Sequence, residues 1–403
     1  MTNPNVTPSR LFNSPPSLSD FTTLCSRTTD PATYPLASSI QNNIPVYDAS
    51  GPAPPPDSTT ASKLQDEWHH ILASGPGAFV LKGMYDEPAL VDAATAAFDR
   101  IIAREKEQQN STEKGDHFAA GGTNDRIWNS FSKHALEDPV SFVDYYSNPW
   151  LSLVSAAWLG PGYRVTAQVN VVRPGGVAQR PHRDYHLGFQ EDETSALFPR
   201  TAHLASQFLT LQGAVAHSDM PLASGPTRLL PFSQLFEPGF LAYRREEFQG
   251  FFQRNYVVLP LEKGDGIFFN PALFHAAGTN ETADFRRSAN LLQISSAFGK
   301  TMESIDTVPL VERCWDLLRK KYLEEEEGGL LSVGVVSFVR AVADGYPFPT
   351  NLDKRPPAPS GMAPESEQEI LVRGLKEGWG TERVVEELRR MRMDSAARVL
   401  GRS

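Results

Sequence analysis

The spacing of apolar side chains changes twice along the chain and divides it into helical and strand-forming parts. Before about residue 160, apolar positions recur every three or four residues, as in the stripe Leu64, Trp68, Ile71 and Leu72. Apolar residues at this spacing lie on one face of a helix, so this part is predicted to be largely helical, with a short buried strand at Gly77–Lys82.

Between about residues 164 and 298 the pattern consists of short apolar runs separated by Gly and Pro. Short strands at even spacing favour a two-sheet antiparallel jelly roll of the cupin type. After Phe298 the helical spacing returns and predicts four helices. The predicted fold class is therefore α+β, a double-stranded β-helix flanked by helices with a helical C-terminal extension. The predicted strands are 164–173, 207–217, 227–230, 255–259, 266–270 and 286–295.

The first sixty residues differ in composition from the rest. They are rich in Pro, Ser, Thr and Asn, and Pro54-Pro55-Pro56 stand together. Such a stretch buries too little apolar area to offset the entropy lost on ordering, so residues 1–60 are predicted to be a mobile arm. The predicted domains are then residues 61–300, with a helical lead-in and the jelly-roll core at about 164–298, and a helical extension over 301–403.

A loop rich in Gly, Asn and Thr covers residues 117–124 and precedes an aromatic segment around Trp128. A long loop in front of a strand-rich core acts in many enzymes as a lid or a wall of the substrate site. A surface loop anchored by Trp128 fits the sequence equally well. Both interpretations stay open.

Charge and composition exclude several classes of partner. The chain has 38 basic and 48 acidic residues and a net charge of -10, which argues against binding of nucleic acid. Two cysteines are too few for a disulfide framework. No apolar run reaches the length of a membrane span, and no signal peptide is evident at Met1–Pro8. We expect a cytoplasmic protein, with a peroxisomal location left open, and the sequence leaves the oligomeric state unknown.

The segment Arg180–His186 contains the first candidate metal ligands. His182 and Asp184 are two residues apart, so on an extended strand both side chains leave the same face. The best third ligand is His275, which follows the predicted strand 266–270. Two His and one carboxylate leave three positions on the metal open, as in non-haem Fe(II) oxygenases. A metal site of His182, Asp184 and His275 is therefore predicted.

Polar residues on two predicted strands are candidates for binding an anionic ligand. Arg286, Ser288 and Asn290 share one face of the strand that starts near Phe285. A buried arginine beside a metal needs an anion, and a distal carboxylate of a 2-oxo diacid is gripped by two parallel N–H bonds. On the strand 164–173, Gln168 either donates to such an oxo acid or only lines the barrel.

The combined pattern of H-x-D, a distant His and an Arg eleven residues after it resembles the phytanoyl-CoA dioxygenase family of Fe(II)/2-oxoglutarate oxygenases. The segment Gly264–Arg287 is similar to the distal ligand and co-substrate motif of that family. Ser224–Gln234 resembles its Gly-Pro then Pro-Gly-Ser-His turn, with Phe232 in place of Gly and Gln234 in place of His. The resemblance covers roughly Gly77 to Phe298.

This resemblance implies that His182, Asp184 and His275 bind Fe(II), and that Arg286, with Ser288 and Gln168, binds 2-oxoglutarate. The expected reaction converts 2-oxoglutarate and O2 to succinate and CO2 while a small organic substrate is hydroxylated. Related halogenases have a small residue at the position of Asp184, so its carboxylate favours hydroxylation. Desaturation and ring closure use the same ligands and stay open.

Three alternatives remain beside a hydroxylase of small molecules. The same enzyme class could act on an acyl-CoA, whose phosphates would need a basic groove such as Arg244, Arg245 and Arg254. A cupin barrel can also bind a metal without catalysis. The C-terminal helices, in turn, could dock a partner or a second subunit.

Overall fold

The computed structural model describes residues 7–108, 124–326 and 328–396. Most described strands join one large sheet, and two short ones form a second sheet. Of the predicted loop 117–124, only Asn124 lies within these ranges, so the two interpretations of that loop fall outside the described residues. The strands are β1 (Ser39–Gln41), β2 (Ile44–Asp48), β3 (Ala78–Lys82), β4 (Asn124–Ile127), β5 (Arg164–Val172), β6 (Thr210–Ala216), β7 (Thr227–Leu229), β8 (Gly266–Phe269), β9 (His275–Ala277) and β10 (Arg287–Ser295).

Helices precede, interrupt and follow the strands. Several have their first turn fixed by a side chain that accepts a backbone N–H, such as Ser58, Asn148, Asp306 and Ser366. The helices are α1 (Leu18–Cys25), α2 (Thr59–Ala73), α3 (Pro88–Gln108), α4 (Ser130–Glu137), α5 (Pro139–Tyr146), α6 (Pro149–Leu159), α7 (Asp192–Ala196), α8 (Arg200–Phe208), α9 (Glu246–Asn255), α10 (Thr307–Glu325), α11 (Val333–Val342), α12 (Glu367–Lys376) and α13 (Thr381–Ser395).

The large sheet has the order β1-β2-β3-β8-β6-β10-β5-β4 in the described part of the chain. Its neighbours are antiparallel except β2 and β3. The second sheet pairs β7 with β9, and bridges from His182 to His275 and from Leu229 to Val257 extend it. The predicted class, α+β with a jelly-roll barrel and a helical C-terminal part, is confirmed.

The two faces of the large sheet pack against different partners. On β5 and β10, Val165, Val169, Leu292 and Ile294 belong to the main core, which lies between the sheet and the helices. The alternate residues, among them Ala289, face the second sheet. Because side chains alternate along a strand, these two cores fix which residues of β5, β6 and β10 point into the barrel.

The prediction of a mobile arm over 1–60 is wrong for residues 7–60. Helix α1 buries Phe21 completely, and β1 and β2 extend the large sheet beside β3. Ile44 and Tyr47 are buried as well. The overall composition of this stretch hid two short apolar pieces, and each becomes stable only through packing on the folded domain. Phe21 contacts the rings of Phe236, Phe248, Phe251 and Phe274.

The four predicted C-terminal helices are present as α10 to α13. Their side chains Trp315, Phe338 and Leu371 belong to the same apolar core as Trp68 of α2 and Val165 of β5. Helices α7 and α8 precede β6 and were not predicted. Because α8 ends at Phe208, the strand predicted at 207–217 begins only at Thr210. Across the described ranges, no helix combines the length and apolarity needed to cross a bilayer.

Replacing Phe21 by Ala tests whether the N-terminal segment belongs to the folded domain. Loss of a fully buried phenyl ring usually costs about 3–5 kcal/mol. We expect Phe21→Ala to lower the free energy of unfolding by this order in urea denaturation. The control Thr22→Ala changes an exposed residue of the same helix and should have little effect. Equal stability of both variants would contradict the packing of α1.

Candidate active site

The second sheet brings His182 and His275 together. The N–H of His182 donates to the carbonyl of His275 at 3.0 Å, and the N–H of His275 donates to the carbonyl of His182 at 3.2 Å. The N–H of Asp184 donates to the carbonyl of Pro271 at 2.9 Å. Ligand atoms of His182, Asp184 and His275 all lie within 4.8 Å of one another. The structure therefore joins the three residues that the sequence predicted.

Both imidazoles are held in the orientation that a metal ligand needs. Nδ1 of His182 lies 2.9 Å from the carbonyl oxygen of Arg180, and Nδ1 of His275 lies 2.8 Å from that of Leu273. A carbonyl only accepts, so each Nδ1 carries the proton and each Nε2 keeps its lone pair. The two Nε2 atoms lie 3.8 Å and 3.6 Å from Oδ2 of Asp184.

The carboxylate of Asp184 is fixed from the barrel wall. Nε2 of Gln212 on β6 donates to its Oδ2 at 2.7 Å. Burial alone raises the pKa of Asp184, but the neighbouring His182 and His275 and the Gln212 bond outweigh it and hold the pKa at about 2. Burial lowers the pKa of His182, and His275 adds to that effect. At neutral pH the carboxylate is thus charged and the His182 imidazole neutral, the states that bind a metal cation.

These donors fit a divalent transition metal. Two imidazole nitrogens and one carboxylate oxygen converge from one side, and the opposite side opens into a cavity of about 530 Å³. Nitrogen and carboxylate donors on one side with open positions opposite are typical of non-haem Fe(II) sites. The cavity lies between the two sheets, and its wall includes Gln168, Gln212, Leu291 and Arg287.

Arg286 and Ser288 do not face this cavity, contrary to the sequence prediction. The Arg286 side chain is 54% exposed and its guanidinium lies 3.8 Å from Asp99 on the outer surface. Ser288 and Asn290 lie on the same face of β10, which points toward the helices. Nδ2 of Asn290 donates to the hydroxyl of Tyr146. The grouping of the three residues on one face was right, but that face points away from the barrel. A one-residue difference in register moves every side chain to the other face of a strand.

Arg287, and not Arg286 as predicted, faces the cavity. It is 6% exposed, lines the cavity together with the three candidate ligands, and its Nη1 donates to the carbonyl of Gly225. Burial lowers the pKa of Arg287 to about 10, so the guanidinium stays charged at neutral pH. Within the described ranges no carboxylate lies within 4 Å of it. A buried cation without an anion is costly, so this position favours an anionic ligand.

Gln168 lies in the cavity wall, on the inward side of β5. Its Oε1 accepts from Nη1 of Arg126 at 3.1 Å, and its Nε2 lies 3.5 Å from Oε1 of Gln293. Gln168 pairs with Leu291 on β10. Leu291 is two inward-facing positions beyond Arg287 on that strand. The side-chain amides of Gln168 and Gln293 are therefore neighbours in the cavity wall. Contact between Gln168 and a co-substrate remains a prediction.

Sequence reasoning missed Arg287, Gln212 and Arg126. For Arg287 a signal existed, because Leu292 and Ile294 mark the apolar face of β10 and Arg287 falls on the opposite one. Gln212 offered none, since its importance comes from the contact with Asp184. The same holds for Arg126, which reaches the cavity from β4 at the edge of the sheet.

The turn that departs from the family motif has a structural role. Phe232 has φ +67°, a left-handed conformation that Gly adopts without strain. Nε2 of Gln234 donates to the carbonyl of Gly75 at 2.8 Å, which ties the turn to the segment after α2. Both side chains are buried away from the candidate ligands. Neither residue is part of the described wall of the cavity.

Comparison with known proteins gives matches over the middle of the chain. The family model described as Phytanoyl-CoA dioxygenase (PhyH) matches residues 74–288, more than half of the chain. Dioxygenase trt7 of Aspergillus terreus is 26% identical over 165 residues, 41% of this chain and 47% of trt7. Dioxygenase andF of Emericella variicolor is 24% identical over 148 residues, 35% of this chain and 45% of andF. The chain spans about half the length of the curated relatives it matches.

Solved structures also match. The non-heme alpha ketoglutarate dependent carbocyclase SnoK from nogalamycin biosynthesis has a TM-score of 0.43 and 18% identity, covering 61% of this chain and 87% of that chain. The epimerase SnoN from the same biosynthesis has a TM-score of 0.41 and 19% identity, covering 59% of this chain and 82% of that chain.

Metal titration tests the three candidate ligands. We expect His275→Ala and Asp184→Ala to weaken Co(II) binding by more than about a hundredfold, because loss of a ligand costs more than the 10–100-fold known for outer contacts. Isothermal titration calorimetry measures the affinity, and the metal-induced rise in unfolding temperature should disappear. His69→Ala, at an exposed histidine of α2, is the control and should bind Co(II) normally. Unaltered binding in both ligand variants would refute the site.

Proposed function

Since the chain belongs to the phytanoyl-CoA dioxygenase family, we propose that it is an Fe(II)- and 2-oxoglutarate-dependent oxygenase that uses O2 to hydroxylate a small organic substrate. One observation carries the proposal. The His182, Asp184 and His275 group and the buried cation of Arg287 face the same cavity. A metal and an anionic co-substrate would thus meet inside it.

His182, Asp184 and His275 would hold the iron. When bound, Fe(II) and 2-oxoglutarate supply the oxidation of a C–H bond by O2, with release of succinate and CO2. The protein contributes placement, because the carbonyls of Arg180 and Leu273 fix both imidazole rings and Gln212 fixes the carboxylate. These contacts lie within the protein itself, so they would hold the ligand side chains in place for the reaction.

Arg287 would bind the distal carboxylate of 2-oxoglutarate. The guanidinium fork matches both oxygens of a carboxylate, and the ion pair would neutralise a buried charge. The cavity that Arg287 lines also has the small or apolar residues Ala277, Ala289 and Met220 in its wall. Such a wall accommodates the short methylene chain of the diacid and excludes water from it.

Three observations favour hydroxylation of a small molecule over the alternatives. The third ligand is the carboxylate of Asp184, so the ligand position that chloride takes in related halogenases is already filled. Arg244, considered for an acyl-CoA phosphate, is already 2.9 Å from the carboxylate of Asp192 and lies over the ring of Tyr243. A metal-binding barrel without catalysis would not need the buried cation of Arg287.

We place the reaction in the cytoplasm, in line with the charge and composition.

A spectroscopic experiment tests the enzyme class. Under anaerobic conditions, addition of Fe(II) and 2-oxoglutarate to the protein should give a visible charge-transfer band. Admission of O2 should then produce succinate, even without the organic substrate, at a slow rate. A protein that binds Fe(II) but shows neither the band nor succinate would contradict the proposed function. A metabolite screen coupled to succinate release would then identify the substrate.

Neighbouring arginines provide a matched test of 2-oxoglutarate binding. Arg287→Gln should raise the 2-oxoglutarate KM about 10- to 100-fold, because hydrogen bonds to charged groups contribute about 1.5–3 kcal/mol. Arg286→Gln changes an exposed side chain and should leave this KM unchanged. Succinate formation at varied 2-oxoglutarate gives both values. A raised KM in Arg286→Gln alone would restore the assignment made from sequence.

A further inference from the structure

A second pocket of about 360 Å³ adjoins the cavity of the candidate ligands. The two share Phe189, Gln293 and Met302 as wall residues. Beyond Gln293, the wall of the second pocket continues along β10 and β6 with Ser295 and Thr210, which are partners in the sheet. Arg287 lies at the other end of the inward face of β10. The second pocket, called the side pocket below, is therefore on the side of the cavity away from Arg287.

The wall of the side pocket is largely apolar, but several of its residues can donate hydrogen bonds. Thr210, Ser295, Thr301 and the exposed Lys300 are among them. Tyr185 also lines it, is only 5% exposed, and its hydroxyl has no hydrogen-bond partner among the described residues. A buried hydroxyl without a partner costs free energy, so this group favours a ligand that accepts a hydrogen bond.

Lys300 carries the positive charge among the described lining residues of the side pocket, while burial first and then the nearby carboxylates of Asp184 and Glu303 raise the pKa of the Tyr185 hydroxyl. None of its described lining residues is acidic, and no described carboxylate lies within 4 Å of the Lys300 ammonium. His186, also in the wall, bonds the Ser206 hydroxyl through Nδ1 at 3.1 Å. Donors and one cation together match an anion with several acceptor sites, and a carboxylate has this chemistry.

We propose that the side pocket binds the carboxylate of an apolar organic acid, whose chain passes between Phe189 and Met302 to the candidate iron site. This rests on the proposed function, since the acid would be the substrate that the iron site oxidises. Two residues along a strand span roughly 7 Å, so Ser295 lies about that far beyond Gln293. The oxidised carbon would thus be several bonds from the carboxylate.

Octanoate and octan-1-ol are matched probes, because they share a chain and differ in charge. Calorimetric titration into the wild-type protein, with and without Fe(II) and 2-oxoglutarate under anaerobic conditions, should show tighter binding of octanoate. Lys300→Gln should weaken octanoate about tenfold and leave octan-1-ol unchanged. Thr301→Trp should weaken both probes, since the indole fills the pocket. Lys320→Gln, at a lysine of α10 whose side chain is 72% exposed, is the charge-matched control and should bind like the wild type.

The outcomes separate this inference from the proposed function. Octanoate binding that is equal in the wild type, Lys300→Gln and Thr301→Trp would overturn the side-pocket assignment, as would a wild type that binds neither probe. An equal loss of both probes in Lys300→Gln would overturn the choice of a carboxylate. Unfolding temperatures check that each variant is folded. A wild type that binds octanoate through Lys300 but forms no succinate would support the pocket and contradict the proposed function.

Discussion

The pair of backbone hydrogen bonds between His182 and His275 determines where the candidate metal ligands lie. An antiparallel pair that exchanges both bonds fixes the two residues opposite each other. Their Nδ1 atoms are then held by carbonyls two residues earlier in each segment, at Arg180 and Leu273. A slip of one residue would turn one imidazole out of the barrel. The short second sheet therefore fixes the positions of both candidate histidine ligands.

Two buried arginines, Arg183 and Arg287, have different roles in this fold. Arg183 is 2% exposed, but its Nη2 donates to the carbonyls of Ser233 and Phe236, and its guanidinium lies 5.2 Å from the ring centres of Phe240 and Phe274. These contacts compensate its burial, so Arg183 stabilises the wall behind Asp184. Arg183 therefore has a structural role.

Arg287 differs from Arg183 because, among the described residues, its guanidinium bonds one carbonyl, that of Gly225, and it lines a cavity. A guanidinium in that state is stabilised when an anion arrives, whereas one already surrounded by carbonyls and rings gains little. The surroundings of the two arginines, and not their degree of burial, thus distinguish a binding residue from a structural one. The same reasoning applies to the Tyr185 hydroxyl, which lacks a partner in the wall of the side pocket.

The sequence by itself determined the largely helical part from about residue 61 to 160, the four C-terminal helices, the jelly-roll class and the three candidate ligands, because each follows from a local period or from a short motif with fixed spacing. Leu292 and Ile294 mark one apolar face of β10, but only the tertiary structure showed that this face packs on the helices while the opposite face, with Arg287, enters the barrel. The tertiary structure also decided that residues 7–60 fold, that Gln212 supports Asp184, and that a side pocket adjoins the cavity. Each of these depends on contacts between distant segments, and their free energy exists only once the chain has folded.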